Sequence, residues 1–360
     1  MKKKARMAIF NVGAGFSSFV QTEDKHIMID CGKSEDFSPV EDFLIPLAKK
    51  QGWKLNSEKE KGKYALDQLV ITHPHQDHVS EFCKFEEKFV PGLVTCPNDA
   101  IKKDSSYPNY QYDKDEKLNW SKINSEGQEL TAEQKELKII TGPDGERSLP
   151  LRPCLGAESL KDDTSQLIYR LLPGRVEGDD ELCGESYPNN VSLVQLLKIK
   201  GVVLLIPGDI QKAGMKSLLS EKPIRGVYES NVCLRLKQIL KKCGVDILIA
   251  PHHGHKSSFS SDLFDCLPEN RISGLTVISE KPIKDGKTDV DDRYYGKKYN
   301  KGIDFDRVIY HWGRGGEEGM KYSVCTSVGH IGIEFPGDGD YNIHLFKTDD
   351  KKGLLEFFEG

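Results

Sequence analysis

Short runs of β-branched and aromatic residues open the chain: "ARMAIFNVG", "SSFVQT" and "HIMIDCG", each closed by glycine, aspartate or a charged turn. That pattern predicts strands. "GAG" at 13–15 predicts a tight turn in a plain hairpin, because no GxGxxG or Walker pattern follows to cradle a phosphate. The period then changes in "PVEDFLIPLAKKQGW", where Val40, Phe43, Leu44 and Leu47 fall on one helical face. "LDQLVIT" returns to the continuous apolar run of a buried strand. Farther on, 192–199 and 202–206 flank "KG" as a hairpin, and "QKAGMKSLLSE" and "SNVCLRLKQILKKCG" predict helices. "VDILIA" is another buried strand, "SDLFDCL" a helix and "GLTVISE" a strand. "DRVIYHW", "GHIGIEF" and "YNIHLFK" close the chain as strands. The order is β-rich, then α/β, and there are no internal repeats.

Two stretches break this pattern. Residues 98–188 are polar and lack a sustained period, which predicts an insertion serving as a lid, an interface or a plain surface excursion. Residues 281–322 are polar again and predict a second insertion. At 360 residues the chain can hold one elaborated domain or two, and strands recurring in both halves favour a single domain over 1–360.

Composition narrows the setting. No window approaches the about 18 uninterrupted apolar residues of a membrane span. "MKKKARMAIF" lacks the apolar core of an export signal, so the reading is a cytoplasmic protein without a membrane association. The nine cysteines are odd in number, scattered and without a CxxC pair, which predicts reduced thiols and agrees with the cytoplasm. A net charge of −5 gives no general attraction to nucleic acid, although a local basic groove can sit on an acidic protein.

The chemistry gathers at the ends of apolar runs. "LVITHPHQDHVS" places His73, His75, Asp77 and His78 directly after a buried strand. On a loop leaving a strand, His-x-His can direct two imidazoles at one ion, and Asp-His in the next turn can serve a second. Imidazole with carboxylate suits Zn²⁺, Mn²⁺ or Fe²⁺ better than Ca²⁺ or Mg²⁺. "LLIPGDI" sets Asp209 at the end of another run, where a carboxylate can bridge two ions. "LIAPHHGHKSS" sets His252 and His253 at the end of a third, so six of the ten histidines fall in two short clusters. Three runs ending in this way predict one common rim.

These residues resemble the metallo-β-lactamase superfamily, whose HxHxDH signature is matched by His73, His75, Asp77 and His78. "FNVGAGFSSFVQTEDKHIMIDCG", "NNVSLVQLLKIKGVVLLIPGDI" and "LIAPHHGHKSS" are similar to the ComEC-like branch, over about residues 5–97 and 189–280. The resemblance implies a four-layer αββα sandwich, mixed α+β and α/β, with irregular insertions and two divalent metal ions, Zn or Mn, on one edge. It implies that His73, His75 and Asp209 hold one ion, and that Asp77, His78, Asp209 and one of His252 and His253 hold the other. We favour His253 as the ligand and His252 as a substrate-facing donor or proton relay, which with Asp77 makes the catalytic pair. Asp30 would orient a metal-bound histidine. Between His78 and Asp209 there is no histidine, where many members have one; Asn190 and Ser192 match the ComEC-like pattern there and would act behind the ions or on substrate.

The implied activity is metal-dependent hydrolysis of a phosphodiester by a metal-activated hydroxide, with DNA or RNA as the partner; Lys256, Ser257 and Ser258, next to the histidine pair, can contact phosphate or equally begin the next helix. Two other readings stand beside it: hydrolysis of a small ester, lactone or amide, and a partner-binding component of a multi-protein system, for example in defence. No G-x-S-x-G nucleophile motif competes with the metal reading.

Overall fold

A computed structural model describes residues 5–23, 25–55, 62–96, 164–171, 182, 187–220, 231–268, 273–280, 289–312 and 319–359. The early strands are β1 (Ala5–Ile9), β2 (Ser18–Gln21), β3 (His26–Ile29), β4 (Tyr64–Val70) and β5 (Phe89–Thr95). The middle of the chain supplies β6 (Thr164–Tyr169), β7 (Val194–Ile199), β8 (Val202–Ile206), β9 (Ile247–Ile249) and β10 (Leu275–Ile278). Then come β11 (Ile303–Asp304), β12 (Val308–Tyr310), β13 (Met320–Lys321), β14 (Ser323–Cys325), β15 (His330–Gly337) and β16 (Asp340–Phe346).

An eight-stranded sheet has the order β12-β16-β15-β1-β2-β3-β4-β5, and a six-stranded sheet the order β14-β10-β9-β8-β7-β6. The two are packed face to face, with helices on the outer face of each, which is the metallo-β-lactamase fold. Side-chain alternation in β1 explains the layering. Ala5, Met7 and Ile9 point at the second sheet and pack with Leu204, Ile206, Ile247 and Val277. Ala8 and the following Phe10 point outward, against Phe43, Leu44 and Leu47 and the closing Leu354 and Phe357. On the far side, Val203, Leu205 and Leu248 pack against Leu218, Leu236, Leu240 and Leu263. Strands such as β8, covered on both faces, have no polar side to show, so "VVLLI" is buried at every position. Each such Leu, Ile or Val contributes about 1.5–3 kcal/mol when fully buried.

The four apolar residues of the first helix are buried as the period requires, but the helix begins in wider turns (Pro39–Leu44) before tightening over Ile45–Lys50. A hydrogen bond from Glu41 N–H to Ser38 Oγ caps its start. Several elements escaped the sequence pattern, among them the helix Phe82–Lys88 and β5, which pairs parallel with β4. β6 lies within the stretch 98–188 and pairs antiparallel with β7 as the edge of the second sheet. A C-terminal helix, Lys351–Phe357, starts at Asp350, whose Oδ1 accepts from Gly353 N–H at 2.9 Å. Most of 98–188 lies outside the described residues. None of the described cysteines is in a disulfide. Among the described residues no helix is long and apolar enough to cross a membrane.

The parallel pairs β3-β4 and β8-β9 carry the functional loops. The C-terminal ends of β4, β8 and β9 reach the same edge of the sandwich, where Leu193 N–H donates to Thr72 O at 2.9 Å and His252 N–H to Gly208 O at 3.1 Å.

Candidate metal centre

The loop after β4 is fixed before any ligand is considered. Phe16 N–H donates to Asp77 O at 3.3 Å and Cys31 N–H to His78 O at 2.7 Å. A Cβ at Gly15 or Gly32 would overlap the Asp77 carbonyl, so these two glycines are what let the turn lie against β2 and β3. The first glycine stretch is therefore more than a hairpin: Gly13 takes a positive φ of 72°, and Gly15 makes room for the histidine loop. Asp30 is fully buried beneath this turn with φ 57°. It accepts from Thr72 N–H and Thr72 Oγ1, both at 2.6 Å, and lies 2.7 Å from His78 Nδ1. That bond fixes the His78 ring and leaves Nε2 facing the site, the arrangement that orients a ligating histidine.

The Asp209 turn is held from below. Asp209 N–H donates to Ser192 Oγ at 3.2 Å. Asn190 accepts from Gln211 N–H at 3.1 Å and donates to Leu182 O at 3.2 Å. Both residues thus shape the loop around Asp209, and the bonds of Asn190 turn it away from the histidines. The third loop has an unusual backbone: His252 and His253 take φ 48° and 56°, followed by Gly254 at 79°. Left-handed conformation at two successive non-glycine residues is strained, about 1–3 kcal/mol each, and such strain gathers at functional sites.

The three loops meet at the Asp209 carboxylate. Oδ2 lies 3.6 Å from His73 Nε2, 3.5 Å from His253 Nε2 and 3.9 Å from His252 Nε2, and Oδ1 lies 3.3 Å from His78 Nε2. Asp77 Oδ2 is 3.4 Å from His253 Nε2 and 3.9 Å from His78 Nε2. Donor atoms within 4.8 Å of one another form two groups: Asp77, His78, Asp209 and His253, and His73, His75 and Asp209. Asp209 belongs to both. The Nε2 atoms of His73, His78 and His253 are buried and make no hydrogen bond. A buried polar atom without a partner is costly, and three of them aimed at a shared carboxylate fit divalent cations of the nitrogen-and-oxygen type.

Charge follows the same geometry. Burial disfavours a proton on His78, but Asp209, Asp30 and Asp77 together push its pKa well above the ordinary histidine value. Burial likewise opposes charge on His253, yet Asp209 and Asp77 lift it to about 9. Burial would raise Asp209 and Asp77, whereas the neighbouring imidazoles hold both below the usual carboxylate range. His73, His75 and His252 are lowered, chiefly by burial, and stay neutral with a lone pair to offer. Asp30 is raised by burial, against the pull of His78 and Thr72. In effect, protons on His78 and His253 occupy the place a cation would take.

All six residues expected to hold metal converge here, and His252 stands at the rim. His255 joins neither group, although its ring lies tilted 4.5 Å from that of His252. Thr72, Gly15, Gly32 and Asn189 were missed. Thr72 was readable as the polar residue between strand and histidines, and Asn189 as half of an Asn-Asn pair.

Among known proteins, the Metallo-beta-lactamase superfamily model matches residues 10–152, the part that carries β2 to β5 and the HxHxDH loop. The match supports that superfamily for this chain. No curated protein matches it in sequence. In structure it is similar to the metallo-β-lactamase fold protein YhfI of Bacillus subtilis, at 9% identity over 78% of this chain and 88% of that one, with a TM-score of 0.34. It is also similar to CmlA, a diiron β-hydroxylase of Streptomyces venezuelae, at 10% identity over 78% of this chain and 45% of that one, with a TM-score of 0.36. The metallo-β-lactamase MIM-1 of Novosphingobium pentaromativorans gives 11% identity, 68% and 76% coverage and a TM-score of 0.28. Likenesses at this level carry no argument about activity.

Proposed function

We propose that this chain is a hydrolase dependent on two divalent cations, and that its substrate is a phosphodiester, DNA or RNA. The observation that carries the metal reading is the convergence of three buried, unpartnered Nε2 atoms on the shared Asp209 carboxylate. His73, His75 and Asp209 would hold one ion, and Asp77, His78, Asp209 and His253 the other, as Zn²⁺ or Mn²⁺. Bound there, the ions would supply Lewis acidity and lower the pKa of water toward neutrality.

The chain's own residues do the rest. Asp30 holds the His78 ring through Nδ1. Asp77, with 41% of its side chain exposed, is the carboxylate of the centre that reaches solvent. His252, whose pKa burial lowers, would take a proton at Nε2, which lies 3.5 Å from Asn189 Nδ2, while its Nδ1 lies 3.4 Å from Ser257 Oγ. Ser257 and Lys256 lie exposed near His252, where a phosphate oxygen would meet them, whereas Ser258 is buried with its hydroxyl bonded to Pro251 O and His255 O and is no phosphate contact. Similarity to the ComEC-like branch supports a phosphodiester over a small ester, lactone or amide.

The test is turnover by purified protein loaded with Mn²⁺ or Zn²⁺. The substrates are bis-p-nitrophenyl phosphate, single- and double-stranded DNA, RNA, and nitrocefin as the amide control. The reading expects cleavage of phosphodiesters that Asp209→Ala abolishes. Cleavage of nitrocefin alone would move the assignment to amide hydrolysis.

A further inference from the structure

Asn189 precedes the residues that brace Asp209 and has a different environment from Asn190. It is 5% exposed. Its Nδ2 lies 3.5 Å from His252 Nε2, and that imidazole nitrogen is 3.9 Å from Asp209 Oδ2. The same carboxylate oxygen is 3.6 Å from His73 Nε2 and 3.5 Å from His253 Nε2, so the carboxamide meets the centre at the rim, beside His252, and the donor count is what separates the two ions. Its Oδ1 is buried and accepts no hydrogen bond. With Nδ2 toward the neutral His252 imidazole it is the acceptor Oδ1 that is left unpaired, and the exchanged carboxamide would leave a buried amide N–H unpaired instead. Asn190 has both its carboxamide atoms paired within the fold. An orphaned acceptor beside a cation site calls for a ligand.

The donor count points the same way. The group around His253 has four protein donors, whereas the group around His73 has three. We infer that Asn189 Oδ1 is the fourth protein donor to the ion held by His73, His75 and Asp209, an inference that rests on the metal-centre reading above. Carbonyl oxygen is a donor that suits Mn²⁺. The consequence is asymmetry. One ion would have the carboxylates of Asp77 and Asp209, and the other only the shared Asp209 and a neutral amide. The ion at His73 is therefore the weaker and the second to bind.

Calorimetric titration of metal-stripped full-length protein with Mn²⁺ alone tests this, with no substrate present. Wild-type protein should bind two ions with distinct affinities. Asn189→Ala should weaken the looser ion by about ten-fold or more and leave the tighter one within about three-fold. Asn189→Asp should tighten the looser ion. Two ions bound to Asn189→Ala with wild-type affinities would overturn the assignment of Asn189 and leave the metal-centre reading intact. No binding by the wild type would overturn both. If Asn189→Ala fails to fold, Asn189→Asp decides: a looser ion bound no more tightly than in wild type would overturn the inference.

Discussion

Asp30→Asn keeps the shape of a fully buried side chain and removes its charge. Asparagine tolerates the left-handed φ of 57°, so the backbone drops out of the comparison. With its carbonyl at the Oδ1 position it still accepts from Thr72 N–H, which lies 2.6 Å from Oδ1 in the wild type. Its amide then replaces Oδ2, which accepts from Thr72 Oγ1 at 2.6 Å and faces His78 Nδ1 at 2.7 Å. The Thr72 hydroxyl can rotate to accept. His78 cannot keep a proton on Nδ1 opposite an amide N–H, so the ring is left with its proton on Nε2 alone, the atom that faces Asp209 and Asp77 and would bind metal. The reverse placement of the amide sets it against Thr72 N–H and gains nothing. One charge-assisted hydrogen bond is lost, about 1.5–3 kcal/mol. Removing a partner that orients a ligating histidine weakens metal binding by about 10–100-fold. Urea unfolding of the metal-stripped protein reads the first quantity, and competition with a chelating dye reads the second. A folded Asp30→Asn variant with wild-type stability and metal affinity would refute the claim that Asp30 sets the His78 ring.

Three further outcomes follow from the same geometry. Gly32→Ala puts a methyl group against the Asp77 carbonyl; overpacking of this kind should cost about 1–3 kcal/mol, and metal titration should show the Asp77 ion weakened, whereas unchanged binding would mean the turn can shift freely. His252→Gly relieves a φ of 48°, so metal-stripped protein should gain about 1 kcal/mol in urea unfolding while losing about 10²–10⁴-fold in turnover; equal or lower stability would remove the strain argument. His330, between Phe10 and Phe37, accepts from Asn11 N–H and bonds to Thr348 O, and burial pushes it down from 6.5 to about 4. Because its folded-state pKa is depressed, its contribution is complete above pH 6.5 and is lost as pH falls toward 4. Between pH 7 and 4.5 wild type should therefore lose about 2–3 kcal/mol more than His330→Gln, and identical losses in urea unfolding would contradict it.

Much of this candidate centre could be read in the sequence, because its histidines and aspartates follow apolar strands, and strands buried on both faces stand out as uninterrupted runs. The two-sheet sandwich was implied by the family resemblance and not by those runs, and the strand order, with β1 between β15 and β2, came only with the structure. What could not be read is what meets across the chain. Gly15 and Gly32 matter because the carbonyl of Asp77 lies against them, a contact made only by tertiary folding. Asn189 and Asn190 look alike in sequence, yet the backbone turn sends one toward Gln211 and Leu182 and the other toward His252. The strand β6 escaped because, among the described residues, it pairs with β7 alone at the edge of its sheet, so its burial pattern is weaker than that of a central strand. The Lys351–Phe357 helix is short and contains Gly353, which weakens its helical signature.

The most direct measurement is anomalous diffraction from crystals of the wild-type protein grown with manganese. The account predicts two anomalous peaks, one on each side of the Asp209 carboxylate, the first among His73 and His75 and the second among Asp77, His78 and His253. Well-ordered loops with no anomalous peak at Asp209 would contradict it.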